Sequence, residues 1–178
     1  MRNPFALLGL PETLLLDPAS VEEAWRDLSR EGNDGAETEA SALNRARTVL
    51  SDPVTRLAAW LEVKAPDLVP NRAIAPGLMD LFSKIGPVLA TTDSVLARHR
   101  KATTALARAM LAKEAIAAQL AVQDLLAQIQ SLKSAQTDRY AEFEAGDLES
   151  ASRALGQLKF LKRWEEQCRE RLLALIAT

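Results

Sequence analysis

The feature that most constrains the fold is a long central segment without helix-breaking residues. Between Pro87 and Gly146 the chain contains neither glycine nor proline. As a single helix this segment would be ~90 Å long at 1.5 Å per residue, about three times the diameter of a small domain. We therefore expect the segment to fold back on itself, with a turn between about Ala109 and Ala118 that divides it into two helices.

Apolar residues recur at helical spacing in and after this segment. One stripe comprises Leu96, His99, Thr103, Leu106 and Met110, and a second comprises Leu125, Ile129, Leu132, Gln136, Tyr140 and Phe143. Gly146 is expected to end the second helix, and a third stripe follows, comprising Ala151, Leu155, Leu158, Leu161, Trp164, Cys168, Leu172 and Leu175. Because such narrow stripes are not stable alone in water, the pattern predicts three antiparallel helices packed together.

Turn-forming residues divide the first third of the chain into short helices. Asp17-Pro18 and Asp52-Pro53 each combine a capping acceptor with a residue suited to the first helical position. Pro66, Pro70 and Pro76 then interrupt regular structure, because each ring removes an amide donor and disfavours helix at the residue before it.

These patterns predict an all-α protein with two domains. We expect a small helical domain over residues 1–68, a proline-rich linker over residues 69–76 and an elongated antiparallel three-helix bundle over residues 77–178. No β-hairpin signal and no internal repeat is present in the sequence.

Composition narrows the function classes. One cysteine and one histidine argue against a disulfide, a thiolate metal site and a histidine-rich metal centre, so we expect neither metal nor cofactor. Residues 1–68 hold 7 Lys or Arg against 12 Asp or Glu, and residues 69–178 hold 15 against 12. Neither balance is the strongly basic one of a nucleic-acid-binding protein. No apolar run approaches the ~18–20 residues of a membrane span, so we expect a cytoplasmic protein without a membrane or nucleic-acid partner.

No arrangement of residues indicates an enzyme. The sequence has no glycine-rich phosphate loop, no paired-carboxylate motif and no nucleophile–base pattern. His99 shares a stripe with Leu96 and Leu106, which favours an edge position in the bundle over a catalytic role. Cys168 lies on the third stripe, which favours an inert buried thiol.

Four short motifs carry a resemblance to a known family. Asn44–Arg56, which includes Leu-Ser-Asp-Pro, resembles the third helix and following turn of J domains, and Pro4–Pro11 is similar to the first helix of the HscB branch. Leu78–Phe82 resembles the opening of the HscB carboxy-terminal bundle, and Leu158–Leu161 resembles a motif of its last helix. The motifs span nearly the whole chain and indicate an HscB-type J-domain co-chaperone of iron-sulfur cluster assembly.

The resemblance implies two activities, and the sequence departs from one of them. In HscB-type proteins the J domain stimulates ATP hydrolysis by a DnaK-type chaperone, which depends on a His-Pro-Asp motif and a basic second helix. Here residues 30–36 read Arg-Glu-Gly-Asn-Asp-Gly-Ala, and Asn33 and Asp34 are either a degenerate remnant of the motif or an ordinary turn. Residues 18–31 hold two arginines against four acidic residues, a net charge of −2.

The second implied activity is partner binding by the bundle. Leu78, Met79, Phe82 and Phe160 match the positions where the family presents an apolar patch to the iron-sulfur cluster scaffold protein, and the alternative is that they belong to the bundle core. The favoured hypothesis is a J-like adaptor that binds a protein partner, such as that scaffold, without activating a DnaK-type chaperone. Two alternatives are an active co-chaperone that works without His-Pro-Asp and a structural coiled-coil protein that self-associates.

Overall fold

A computed structural model describes residues 3–31, 37–68 and 76–177, and all regular structure within these ranges is α-helical. The helices in chain order are α1 (Pro4–Leu7), α2 (Pro18–Glu31), α3 (Glu37–Ser51), α4 (Pro53–Lys64), α5 (Pro76–Lys101), α6 (Ala105–Thr137), α7 (Tyr140–Glu144) and α8 (Leu148–Ile176). The predicted all-α class, with short helices first and long helices after them, is confirmed.

The chain packs as two compact units. The first unit comprises Met1–Arg72 and Gln136–Gly156, and the second comprises Ala73–Ala135 and Gln157–Thr178. The first unit is therefore built from two separate stretches of the chain. The domain limits of 1–68, 69–76 and 77–178 remain a prediction.

The short helices of the first unit begin where the sequence places capping residues. The carboxylate of Asp52 accepts hydrogen bonds from the amides of Val54 and Thr55, both at 2.9 Å, and Pro53 follows it as the first residue of α4. The carboxylate of Asp17 accepts from the amide of Ala19 at 3.0 Å at the start of α2. These bonds satisfy amides that have no partner inside the helix, so each start is fixed locally.

The segment around α7 is part of the core of the first unit. The Tyr140 hydroxyl donates to the Pro53 carbonyl at 2.9 Å. The Glu144 carboxylate accepts from the Thr13 hydroxyl at 2.6 Å and from the amide of Leu14. Phe143 is fully buried. Residues distant in sequence thus complete the core that the first helices leave open.

A buried arginine lies in the same unit. Arg56 donates from its Nη1 to the Leu16 carbonyl at 3.0 Å, and burial lowers the pKa of its guanidinium. Burial also raises the pKa of the Tyr140 hydroxyl, so the hydroxyl stays protonated and able to donate even in alkaline solution.

The second unit is built on the three long helices α5, α6 and α8. Lys133 of α6 and Glu165 of α8 form an ion pair at 2.5 Å with both side chains largely buried. Arg171 of α8 donates from Nε and Nη2 to the two carboxylate oxygens of Asp93 of α5, at 2.9 and 3.0 Å. This two-pronged geometry fixes orientation as well as distance.

The turn between the first two long helices differs from the prediction. It spans residues 102–104, before the predicted range of Ala109–Ala118. Thr104 explains the position, because its hydroxyl oxygen accepts from the amide of Ala107 at 3.1 Å and caps the start of α6.

Helix α5 also begins earlier than expected, at Pro76, and contains Pro87 in its interior. A proline clashes with the Cβ of the residue before it when that residue is helical. Here the preceding residue is Gly86, which has no Cβ, so part of the clash is absent. The helix can therefore continue through Pro87.

Two of the predicted stripes are divided differently in the structure. Leu106 and Met110 were expected to share a helix with Leu96 and to be covered in the bundle. The turn at residues 102–104 places them on α6 instead, where each is 73% exposed. The second stripe crosses the end of α6 at Thr137, so Tyr140 and Phe143 belong to α7 and to the first unit.

Candidate functional site

The candidate site is a group of exposed apolar side chains on α5 and α8 of the second unit. Met79, Phe82 and Phe160 are 55%, 59% and 48% exposed. Met79 and Phe82 are three residues apart on one helix and therefore share a face. We call these three residues, together with Trp164 beneath them, the aromatic patch.

Trp164 connects the two helices of the aromatic patch. Its ring lies 5.7 Å from the Phe82 ring, centroid to centroid, at an interplanar angle of 63°. It lies 6.2 Å from the Phe160 ring at 39°. Aromatic rings favour such tilted or edge-on arrangements, which add to the free energy of burial. Because Trp164 is itself buried, it positions both exposed rings.

Leu78 differs from the other residues of the predicted binding set. Its side chain is only 4% exposed, and Leu81, three residues later, is also buried. Leu78 can support the aromatic patch from the core side, whereas it offers a partner almost no surface. Its direct contact with a partner remains a prediction.

Charged residues flank the aromatic patch in sequence. Asp80 follows Met79 on α5, and Lys159 and Arg163 lie one and three residues from Phe160 on α8, all three exposed. Protein-binding surfaces commonly combine an apolar centre with a polar rim that stays in contact with water. The aromatic patch has this composition.

The other residues singled out in the sequence do not form a site. Asn33 and Asp34, the candidate remnant of the J-domain motif, lie outside the described residues. His99 is half-buried near the end of α5, and Cys168 is fully buried. Trp25 donates from its ring nitrogen to the Asn44 side chain at 2.9 Å, which gives it a structural role between α2 and α3.

One acidic residue of α2 forms an ion pair with α3, whereas other acidic residues of α2 are exposed. The Arg47 guanidinium of α3 lies 2.7 Å from the Glu22 carboxylate of α2 and 4.2 Å from the centre of the Trp25 ring. Glu22 therefore takes part in the packing of these helices, while Glu23 and Asp27 are exposed on the same helix.

Two features of the described part of the chain concern metal binding and membrane insertion. Among the side chains described in residues 3–30, 39–68 and 78–177, no three of His, Cys, Asp or Glu lie close enough to hold a metal ion together. Nowhere in those ranges is a helix both long and apolar enough to cross a membrane.

We expect Cys168 to resist alkylation in the folded protein. Burial raises the pKa of its thiol, and the protonated thiol is a poor nucleophile. Iodoacetamide at pH 8 should leave Cys168 unmodified under native conditions and modify it completely in denaturant, as measured by mass spectrometry. Rapid native labelling would show that the thiol is accessible.

Sequence reasoning identified the exposed residues of the aromatic patch only through the family resemblance. The sequence places Trp164 on the third apolar stripe, and the structure adds its contacts with both phenylalanines. The i, i+4 spacing of Phe160 and Trp164 on one helix was the available signal. The contact between Phe82 and Trp164 joins two different helices, so no spacing in the sequence indicates it.

Comparison with known proteins supports the fold. No protein-family model matches the chain, and no curated protein matches it in sequence. The crystal structure of the human co-chaperone protein HscB is similar, with a TM-score of 0.66 and 18% identity, over 96% of this chain and 82% of that one. Chaperone HscB from Vibrio cholerae is similar with a TM-score of 0.59 and 18% identity, over 94% and 96% of the two chains. The chain therefore has an HscB-like, all-helical fold.

Proposed function

We propose that the protein is a non-enzymatic, J-like adaptor that binds a partner protein through the aromatic patch and does not stimulate a DnaK-type chaperone. The observation that carries the proposal is the exposure of Met79, Phe82 and Phe160 at the positions where the HscB resemblance expects a partner. The HscB-like fold is consistent with it.

The energetics of exposure support a binding role for the aromatic patch. Leaving a large apolar side chain in water forgoes about 1.5–3 kcal/mol relative to burying it. Single exposed apolar residues are common. A cluster in which two exposed rings contact one buried tryptophan, with an exposed methionine on the same helix face as one of them, is typical of binding surfaces. Aromatic residues also dominate the few positions that supply most of the free energy at protein interfaces.

The resemblance supplies the class of partner. In HscB-type proteins the carboxy-terminal bundle binds the scaffold on which iron-sulfur clusters are assembled. We propose that this scaffold is the partner here as well. The proposal excludes stimulation of the ATPase of a DnaK-type chaperone, because residues 30–36 lack His-Pro-Asp and residues 18–31 carry a net charge of −2.

Isothermal titration calorimetry of the purified protein with the iron-sulfur scaffold tests the proposal by measuring the dissociation constant. Phe82→Ala and Phe160→Ala should each weaken binding about 10- to 100-fold, which is the range for central interface aromatics. Both side chains are about half exposed, so neither substitution opens a large cavity. Circular dichroism should show unchanged helix content.

Leu173→Ala is the matched control. Leu173 is an equally apolar residue on α8 that is 69% exposed and lies outside the aromatic patch. Its substitution should leave the dissociation constant unchanged within about twofold. Failure of the scaffold to bind, or equal effects of all three substitutions, would contradict the proposal.

A further inference from the structure

The charged residues that flank the aromatic patch do not all share its face. At 100° per residue, Asp80 lies about 160° around α5 from Phe82, and Lys159 lies about 100° around α8 from Phe160. Arg163 is three residues after Phe160 and lies only about 60° from it, which places both side chains on the same side of α8. Of the three flanking charges, Arg163 is therefore the one that faces the same way as the aromatic patch.

Arg163 has no partner in the described part of the chain. It is exposed and forms neither an ion pair nor a hydrogen bond with any described residue. The other two arginines of α8 in the second unit are paired. Arg169 lies 2.5 Å from the Glu165 carboxylate, and Arg171 lies 2.9 Å from the Asp93 carboxylate. The guanidinium donors of Arg163 are therefore available to another molecule.

The position of Arg163 imposes a requirement on a protein that covers the aromatic patch. Such a protein removes water from Phe160 and also from the guanidinium one turn away. An ionised group that loses its water is costly unless it gains an ion pair and hydrogen bonds in return. A carboxylate satisfies a guanidinium best, because it can accept two parallel hydrogen bonds from it.

We propose that the partner segment on the aromatic patch carries a carboxylate that pairs with Arg163, so that the patch selects an acidic surface with an apolar centre. The inference rests on the proposed function, because it names the chemistry of the partner at the same site. On α5, the exposed residues that continue the face of Met79 and Phe82 are Gly86 and Ala90, and neither carries a charge. This side of α5 therefore offers no carboxylate that would repel an acidic partner.

The net charge of the second unit acts in the same direction. Residues 73–135 and 157–178 hold 12 Lys or Arg against 7 Asp or Glu, a net charge of +5. Residues 1–72 and 136–156 hold 10 against 17, a net charge of −7. A positive unit attracts an acidic protein and speeds its association, whereas a negative unit repels it. An acidic partner is therefore drawn to the unit that bears the aromatic patch.

Isothermal titration calorimetry with the iron-sulfur scaffold measures the contribution of Arg163. Arg163→Glu should raise the dissociation constant about 30-fold or more, because it places two like charges together. Arg163→Lys keeps the charge and should raise it about fivefold at most. Arg100→Glu is the matched control, since Arg100 is an exposed arginine of α5 about 27 Å along the helix from Phe82. It changes the net charge equally and should raise the dissociation constant about threefold at most.

Charge reversal on the scaffold identifies the carboxylate. The exposed Asp and Glu residues of the scaffold are replaced by Lys one at a time, and one such variant should bind Arg163→Glu about tenfold more tightly than the unmodified scaffold does. The inference is overturned if no variant does so, or if Arg163→Glu weakens binding no more than Arg100→Glu. If Phe82→Ala still weakens binding in that case, the proposed function stands. A scaffold that does not bind at all contradicts both.

Discussion

In a steady-state assay with a DnaK-type chaperone, we expect a molar excess of this protein to leave the rate of ATP hydrolysis at its unstimulated value. Two independent departures lead to this result. Residues 32–34 read Gly-Asn-Asp where the HscB resemblance expects His-Pro-Asp, and residues 18–31 carry a net charge of −2 where it expects a basic face. An acidic helix repels the acidic surface that a basic helix would attract, which slows association as well as weakening it.

Two pairs of substitutions separate these causes. Gly32→His with Asn33→Pro places His-Pro in front of Asp34 and so completes the tripeptide. Glu23→Lys with Asp27→Lys raises the charge of residues 18–31 from −2 to +2. Both acidic residues are exposed, and Glu22 is left in place because it pairs with Arg47 at 2.7 Å.

We expect neither pair of substitutions to restore stimulation alone and the four substitutions together to restore it, because docking and activation are both required. The charge pair with Gly32→Ala and Asn33→Ala is the matched control and should remain inactive. Strong stimulation by the unmodified protein would contradict the adaptor proposal. It would favour the alternative of a co-chaperone that works without the tripeptide.

The sequence predicted the short helices well because their starts are determined locally. Asp52 and the proline after it specify the start of α4 through bonds to the next two amides. Such signals need no knowledge of distant contacts. The all-α class followed for the same reason, since each helix carries its own apolar spacing.

The turn between α5 and α6 lies earlier than predicted because a segment without glycine or proline carries no strong signal for where it turns. Thr104 caps α6 with its hydroxyl, and threonine is a common residue that gives a weak signal by itself. The exposure of Leu106 and Met110 was missed as a consequence. Periodicity shows that residues share a face, and it does not show whether anything covers that face.

The discontinuous first unit could not be predicted from periodicity at all. The spacing of Leu125, Ile129, Tyr140 and Phe143 is continuous across the end of α6. The first two residues nevertheless lie in one unit and the last two in the other. Which core an apolar residue joins depends on the path of the backbone. The exposure of the aromatic patch could not be predicted from periodicity either, because an i, i+3 pair such as Met79 and Phe82 occurs equally in cores and on surfaces.

The discontinuity predicts a large effect of one substitution in α7. Phe143→Ala should lower the free energy of unfolding of the first unit by about 3–5 kcal/mol, because the side chain is fully buried and leaves a cavity. This is a large fraction of the stability of a small domain. Trp25 and Trp60 lie in the first unit and Trp164 in the second. Urea unfolding followed by fluorescence in a Trp164→Phe background therefore reports on the first unit alone.

Leu15→Ala provides the control for Phe143→Ala, because Leu15 belongs to the same unit and is 60% exposed, so its truncation should cost less than about 1 kcal/mol. Because α7 contributes to the core of the first unit, we also expect that residues 1–68 do not fold by themselves. That fragment lacks Tyr140, Phe143 and the Glu144 carboxylate that accepts from Thr13 and Leu14. A cooperative urea transition of the isolated fragment would show that residues 1–68 form a complete core without α7. Its absence, together with the loss in Phe143→Ala, would show that α7 completes the core.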